Sequence, residues 1–239
     1  MYETLLALLV AHLVADFPLQ PDWMIRHKKN PAVLLLHGLI VTGAAALALG
    51  GWPARVLVIL VGTHLVMDAI KVYLLKNSLT SFTLDQLVHL AVILALGVAF
   101  PGSFARGAWA ALPASVMAGY LVGLCLLGGA IASLMVGAIV IRKATEPFTH
   151  QLSGDISGLE SGGTYIGWLE RALVMLLILV GQPAGVGFLI TAKSILRFGD
   201  VRDSAQRKLT EYIIIGTFMS FGWGLLIAVL TQLAMRHWI

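Results

Sequence analysis

The chain has 239 residues, of which 59% are hydrophobic and only 12% charged, and its formal net charge is +4. Mean hydropathy is +0.90. Soluble domains are about half apolar and about one quarter charged, so this balance excludes a soluble globular enzyme, a disordered chain and a nucleic-acid-binding module, and leaves a polytopic membrane protein.

In chain order the expected segments are 4–19, 32–50, 55–75, 83–100, 115–141, 165–181, 184–198 and 210–235, at ~20 residues for a full span. The first carries Glu3 where a secretory signal would be basic, so no cleaved signal is expected. Residues 30–54 hold no Asp, Glu, Lys or Arg and are interrupted only by His37, and 107–141, 172–192 and 212–235 are likewise free of formal charge. One helix over 165–198 would be ~51 Å long against a ~30 Å hydrocarbon core. Gly181-Gln182-Pro183-Ala184-Gly185 is a strong breaker, so this stretch reads as a tight hairpin of two short helices, with a re-entrant hairpin as the alternative. The single cysteine, Cys125, excludes an intramolecular disulfide and a cysteine-clustered metal site.

Lys and Arg test the topology. With the N-terminus outside, 13 of the 16 fall on the inner side and only Arg55, Arg106 and Arg236 on the outer. Basic loops face the cytoplasm, so both termini are expected outside, in a multi-pass protein of the bacterial inner membrane.

An internal repeat is visible. His12-Leu-Val-Ala-Asp16 recurs as His64-Leu-Val-Met-Asp68, and His37 recurs as His89, each at an offset of 64 − 12 = 52. Segments 1–2 and 3–4 then form a tandem parallel repeat about an axis along the membrane normal. The register breaks at Asp85 and Gln86, which stand opposite Val33 and Leu34, and at Lys71, opposite Leu19.

Ionisable groups inside a membrane are costly and mark functional sites by default. His12 and His37 each lie about five residues, ~8 Å, from the inner end of their segments, with Asp68 and His89 at a similar depth. His12/Asp16, His64/Asp68 and Asp85/His89 are i,i+4 pairs, so each pair shares one helix face. Four segments can aim four imidazoles and three carboxylates at one volume. Nitrogen and oxygen donors without sulfur suit Zn, Mn, Fe, Co or Ni rather than Cu(I) or an iron–sulfur cluster. His12, Asp16, His37, His64, Asp68 and His89 are the candidate metal ligands, for one or two divalent ions with Zn expected first. Asp85 is the candidate general base or an extra ligand. The competing readings are hydrogen-bonded polar glue between helices and a proton or ion pathway.

These residues resemble domain of unknown function 3307, a bacterial membrane family. The resemblance rests on His12, Asp16, Phe17, Leu19, Gln20, His37, His64, Asp68, Lys71, Asp85, Gln86 and His89, over about residues 5–95. Gly167 to Arg171, Ala192 to Phe198, Glu211-Tyr212 and Gly216-Thr217 look like longer members. The resemblance implies a membrane protein and brings no activity.

In the second half, Glu170, Arg171, Lys193, Arg197 and Glu211 are expected at inner helix ends. They read either as snorkelling and surface ion pairs or as an anion pocket for a phosphate or lipid headgroup, with Arg171, Lys193 and Arg197 as cations and Glu170 and Glu211 orienting them. The loop 153–163 is glycine-rich and matches no phosphate-loop pattern, so it reads as a flexible cytoplasmic loop. Gly119, Gly123, Gly128, Gly129 and Gly137 favour close packing of segment 5, within the chain or in a homo-oligomer.

The expected architecture is an all-α membrane bundle of about eight segments. A pseudo-symmetric half over 1–100 carries the His/Asp site, and a second half covers 101–239. The expected function is a metal-dependent hydrolase acting on a lipid or amphipathic substrate at the cytoplasmic side, with membrane lipids as partners and no nucleic acid. The alternatives are a transporter of metal ions or protons, and a scaffold with a structural His/Asp network.

Overall fold

A computed structural model of the protein describes residues 1–149, 161–195 and 204–239, and every regular element among them is helical. The helices are α1 (Tyr2–Asp16), α2 (Asp22–His27), α3 (Pro31–Leu49), α4 (Ala54–Leu74), α5 (Leu79–Ala99), α6 (Ala114–Ile131), α7 (Gly137–Thr149), α8 (Gly162–Leu179), α9 (Ala184–Ile195) and α10 (Ser204–Arg236). A 3₁₀ turn spans Ala108–Ala111, and a π-helical turn, Ala132–Val136, joins α6 to α7. Helices α3, α4, α5 and α8, the run Ala114–Thr149, and Arg207–Arg236 of α10 are long and apolar enough to cross a membrane. The chain is a multi-pass, all-α membrane protein.

Two expected segments are shorter than a span. Helix α1 has 15 residues, ~22 Å of rise, because Pro18 and Pro21 bar its continuation past Asp16. Helix α9 has 12 residues and follows a sharp reversal. Gly181 adopts a φ of 75° there, and Gln182 N–H closes onto the Leu177 carbonyl. The hairpin expected from the breaker is therefore present, and 196–198 of its expected extent lie outside the described residues. The short helix α2 was not expected. Its apolar positions, Trp23, Met24 and Ile25, are too few to show a helical period.

The chain divides into two compact units, Met1–Ile131 with His237–Ile239, and Ala132–Arg236. The expected division lay at 100/101. Helix α6 belongs with the first unit because it packs on α1 and contributes Leu121 and Leu124 to the same core.

In the first unit α1 packs on α3 and α5, and α4 packs on α3 and α5, so the four close into a ring. A twofold exchange of α1 with α4 and α3 with α5 maps this set of contacts onto itself. The helix starts agree, since α1 begins at Tyr2 and α4 at Ala54, and 54 − 2 = 52. Small residues Ala7, Ala11, Ala15, Ala45 and Ala48 let the backbones approach, and Leu8, Leu49, Leu57, Leu60, Ile93 and Leu96 fill the space between them.

One end of this unit is closed by the segment after α5. Buried Thr4 donates through Oγ1 to the Pro101 carbonyl at 2.9 Å and accepts from Phe104 N–H at 3.2 Å. Trp109 Nε1 donates to the Leu47 carbonyl at 2.7 Å, and Tyr120 donates to Ala48 at 2.8 Å. Gly50 ends α3 in the left-handed region, φ 69°, and its carbonyl accepts from Ala108 N–H at 2.7 Å. This approach leaves no room at Gly107, where a Cβ would overlap the Leu49 carbonyl oxygen. Gly107→Ala is therefore expected to cost about 3 kcal/mol, the upper end for overpacking against backbone that cannot yield. Thermal unfolding in detergent checks this. Gly119→Ala is the control, because a Cβ there meets open space.

In the second unit α10 packs on α7, α8 and the π turn, and α9 packs on α8. A π turn spoils the local hydrogen-bond ladder and leaves carbonyls for other donors. The Ala132 carbonyl accepts from Trp223 Nε1 at 2.9 Å, and the Leu134 carbonyl accepts from Arg171 at 3.1 Å. Of the small residues expected to aid packing, Gly128 sits on Val10 and Gly137 on Trp223, each within its own unit, and Gly119 and Gly123 face open space.

Candidate metal centre

The ring gathers its polar residues at the end away from the Thr4 closure. Helix α1 supplies His12 and Asp16 from its last turns, α3 supplies His37, α4 supplies His64 and Asp68, and α5 supplies Asp85 and His89. The i,i+4 spacing puts each pair on one helix face, and the ring turns all those faces inward. His37 and Asp85 are 0% exposed, His64 and Asp68 1%, His12 3% and His89 4%.

Four of these groups meet at a point. His37 Nε2 lies 3.0 Å from His64 Nε2, 3.3 Å from Asp16 Oδ1 and 3.5 Å from Asp68 Oδ2. His64 Nε2 lies 3.2 Å from Asp16 Oδ1 and 3.5 Å from Asp68 Oδ2. The two imidazole nitrogens thus each face one oxygen of Asp16 and one of Asp68, and ligand atoms of His37, His64 and Asp68 all lie within 4.8 Å of one another, close enough to share one ion. An imidazole nitrogen carries one proton or one lone pair, so protons cannot satisfy so many convergent approaches. Asp16 Oδ1 and Asp68 Oδ2 indeed have no hydrogen-bond partner although both are buried.

The remaining residues form a neighbouring group. His89 Nε2 lies 3.3 Å from Asp85 Oδ1, and His12 Nδ1 lies 3.8 Å from Asp16 Oδ2. His12 Nδ1, Asp85 Oδ1 and His89 Nε2 are likewise buried without hydrogen-bond partners. The His64 and His89 rings stack with centroids 4.2 Å apart, and the His12 ring is 5.0 Å from that of His89.

A surrounding shell fixes these groups. Lys28 Nζ donates to Asp68 Oδ1 at 2.7 Å, and Lys71 Nζ donates to Asp85 Oδ2 at 2.5 Å. Gln86 Nε2 also donates to Asp85 Oδ2, at 3.1 Å, which orients the amide so that its Oε1 accepts from His12 Nε2 at 3.2 Å. The Gln20 amide nitrogen lies 3.0 and 3.2 Å from the two ring nitrogens of His37. Each lysine thus holds one carboxylate oxygen and leaves the other facing the cluster. Such outer partners set the tautomer and direction of metal-ligating side chains.

All seven candidate residues of the first half come together. Lys28 was missed as part of the site and belongs to it. In the sequence it is one of the 13 basic residues of the inner side, next to Lys29, and nothing local separates the two, but its side chain is 7% exposed. Lys71 and Gln86 were visible as breaks in the repeat register, and Gln20 through the family resemblance alone.

The second-half set does not gather in this way. Arg171 is buried in its own unit, with Nη1 donating to Ser220 Oγ at 2.9 Å and Nη2 to the Leu134 carbonyl. The backbones of Gly137, Gly167 and Gly224 crowd it. Glu170 pairs with Lys193 at 2.6 Å and ties α8 to α9. Glu211 pairs with Arg207 at 3.1 Å on the exposed start of α10. Arg197 and residues 153–160 of the glycine-rich loop lie outside the described residues. The ion-pair reading fits Glu170, Lys193 and Glu211, and Arg171 departs from the expected place at an inner helix end: it is buried, with Nη1 and Nη2 on protein oxygens and Nε without a hydrogen-bond partner.

Fold and cluster together define a polytopic helical membrane protein whose first four-helix ring is built around a buried His/Asp centre. Residues 4–109 match the family described as protein of unknown function (DUF3307), a stretch that takes in the ring from Thr4 onward and the closing segment as far as Trp109. The match stops before α6, and the later runs that resemble longer members fall outside it. No curated protein and no solved structure matches the chain.

Proposed function

We propose that the protein is a membrane-embedded metal-binding protein, and that its centre serves a metal-dependent hydrolase acting on a lipid or amphipathic substrate. The observation that carries this reading is the approach of His37 and His64 to each other and to Asp16 and Asp68 at 3.0–3.5 Å, with both inward carboxylate oxygens buried and without a hydrogen-bond partner. A divalent ion, Zn first, would supply Lewis acidity and activate water there. Asp85 is the base or a further ligand, with Lys71 and Gln86 holding its other oxygen. Lys71, 34% exposed, is the more open of the two lysines and marks the side from which substrate approaches. The bias of basic residues supports a cytoplasmic position for that side, in an inner membrane with both termini outside.

Transport is the rival reading, and the burial pattern weighs against it. Beyond the cluster, the buried residues of the ring helices are apolar except Thr4, whose hydroxyl is engaged by Pro101 and Phe104. An ion crossing that layer would find no ionisable ligand. The test is elemental mass spectrometry on detergent-purified protein, beside His37→Ala and His64→Ala. Near-stoichiometric metal in the wild type, lost in folded variants, is expected. Absence of metal from wild type prepared in metal-replete, chelator-free conditions would overturn the reading. Metal uptake into proteoliposomes, with no turnover of ester, amide or phosphoester lipids, would favour transport.

A further inference from the structure

We infer that the cluster holds two metal ions, the second bound by His12, Asp16, Asp85 and His89. The inference rests on the metal-centre reading above and deepens it. The argument begins with the repeat. Shifting each residue of the first centre by 52 positions turns Asp16, His37, His64 and Asp68 into Asp68, His89, His12 and Asp16. A ring with this symmetry therefore contains a second place of the same make, and both aspartates belong to both places.

The structure follows that expectation at Asp16 and departs from it at Asp68. Asp16 presents Oδ1 to the first centre, and its Oδ2 is 3.8 Å from His12 Nδ1. It is placed to bridge. The equivalent second oxygen of Asp68 is held by Lys28 Nζ at 2.7 Å, which leaves Asp68 only Oδ2, the oxygen already at His37 and His64. Asp85 fills the gap. Its Oδ1 lies 3.3 Å from His89 Nε2, and the first repeat has only Val33 at that position. The two departures from symmetry compensate: a lysine removes one carboxylate oxygen and an added aspartate supplies another.

Three observations point to a ligand at this second place. His12 Nδ1, Asp85 Oδ1 and His89 Nε2 are all buried and all without hydrogen-bond partners. The tautomer of His12 is fixed as metal binding requires. The Gln86 amide donates to Asp85, so its oxygen must accept from His12 Nε2–H, and this leaves a lone pair on Nδ1. Ligand atoms of Asp68, Asp85 and His89 lie within 4.8 Å of one another, as do those of His12, Asp16 and His64, so the two centres are contiguous. The centres differ in kind. The first takes its ligands from the two repeats equally, and the second depends on Asp85, Gln86 and Lys71, which the repeat does not duplicate.

The test strips the full-length, detergent-purified protein with chelator and titrates it with Mn²⁺, reading stoichiometry by elemental analysis and spin coupling by electron paramagnetic resonance. The wild type should bind two equivalents with an exchange-coupled spectrum. Asp85→Asn should bind one, with the six-line spectrum of isolated Mn²⁺. Gln86→Leu places the residue found at the equivalent Leu34, which the ring already accommodates. It should weaken the second equivalent by about 10–100-fold and leave the first unchanged. A wild type that binds a single equivalent, unaltered in Asp85→Asn and Gln86→Leu, overturns the second site while the metal-centre reading stands. Two equivalents retained in both variants overturn the assignment to Asp85 and Gln86. No binding by the wild type overturns both readings.

Discussion

Asp68→Asn is expected to abolish metal binding at the first centre and to destabilise the protein, through two separable effects. The substitution keeps the shape of the side chain and removes its charge. At Oδ2 it takes away one of the two carboxylate charges beside His37 and His64, and that loss should exceed the 10–100-fold that an outer-shell partner controls. At Oδ1 it leaves the Lys28 ammonium buried opposite a neutral amide. Removing one partner of a buried ion pair costs about 3–5 kcal/mol, because the other charge stays behind uncompensated. The double variant Lys28→Met, Asp68→Asn separates them. It should regain most of the unfolding midpoint lost by Asp68→Asn and none of the metal. Recovery of metal in the double variant would mean that Asp68 acts through Lys28 and not as a ligand.

Lys28→Met alone is expected to make stability depend strongly on metal. Two opposed effects meet here. Asp68 loses the donor that aims it, worth about 1.4–2.7 kcal/mol if the usual 10–100-fold applies. The carboxylate is also left without a counter-charge, which costs about 3–5 kcal/mol in the metal-free protein and is relieved when a cation binds beside it. The second effect is larger, so the gap in unfolding temperature between metal-loaded and chelated protein should widen relative to the wild type. Differential scanning fluorimetry in detergent, with and without chelator, measures it. An unchanged gap would place the Lys28–Asp68 pair outside the metal's influence.

The polar half of the site was legible because cost makes it so. A His or Asp inside a run of Leu and Val stands out against a background in which every such residue must be justified. Helical period then fixes its face, and the 52-residue offset fixes which faces are equivalent. Lys28 was not legible, because a lysine in a loop beside Lys29 is the commonest thing a membrane protein has at its cytoplasmic surface. Only the position of α2 beside α3 shows that one of the two lysines turns inward. Arg171 failed for the opposite reason. Its place near a helix end suggests a headgroup contact, but the π turn at Ala132–Val136 offers it carbonyls in the interior, and no local sequence pattern announces a π turn.

By itself, the sequence determines that this is an all-α membrane protein, where its helices run, that its first four long segments are duplicated, and that three carboxylates and four imidazoles share one depth. Those properties follow from hydropathy and period, which are local and additive along the chain. The tertiary structure alone decides that the four helices close into a ring, that α6 joins it, that His37 and His64 come within 3.0–3.5 Å of each other and of Asp16 and Asp68, and that lysines hold the outer oxygens of Asp68 and Asp85. These depend on helix rotation and on contacts between residues as far apart as Lys28 and Asp68, and a helix can turn its face by one residue without changing its composition at all.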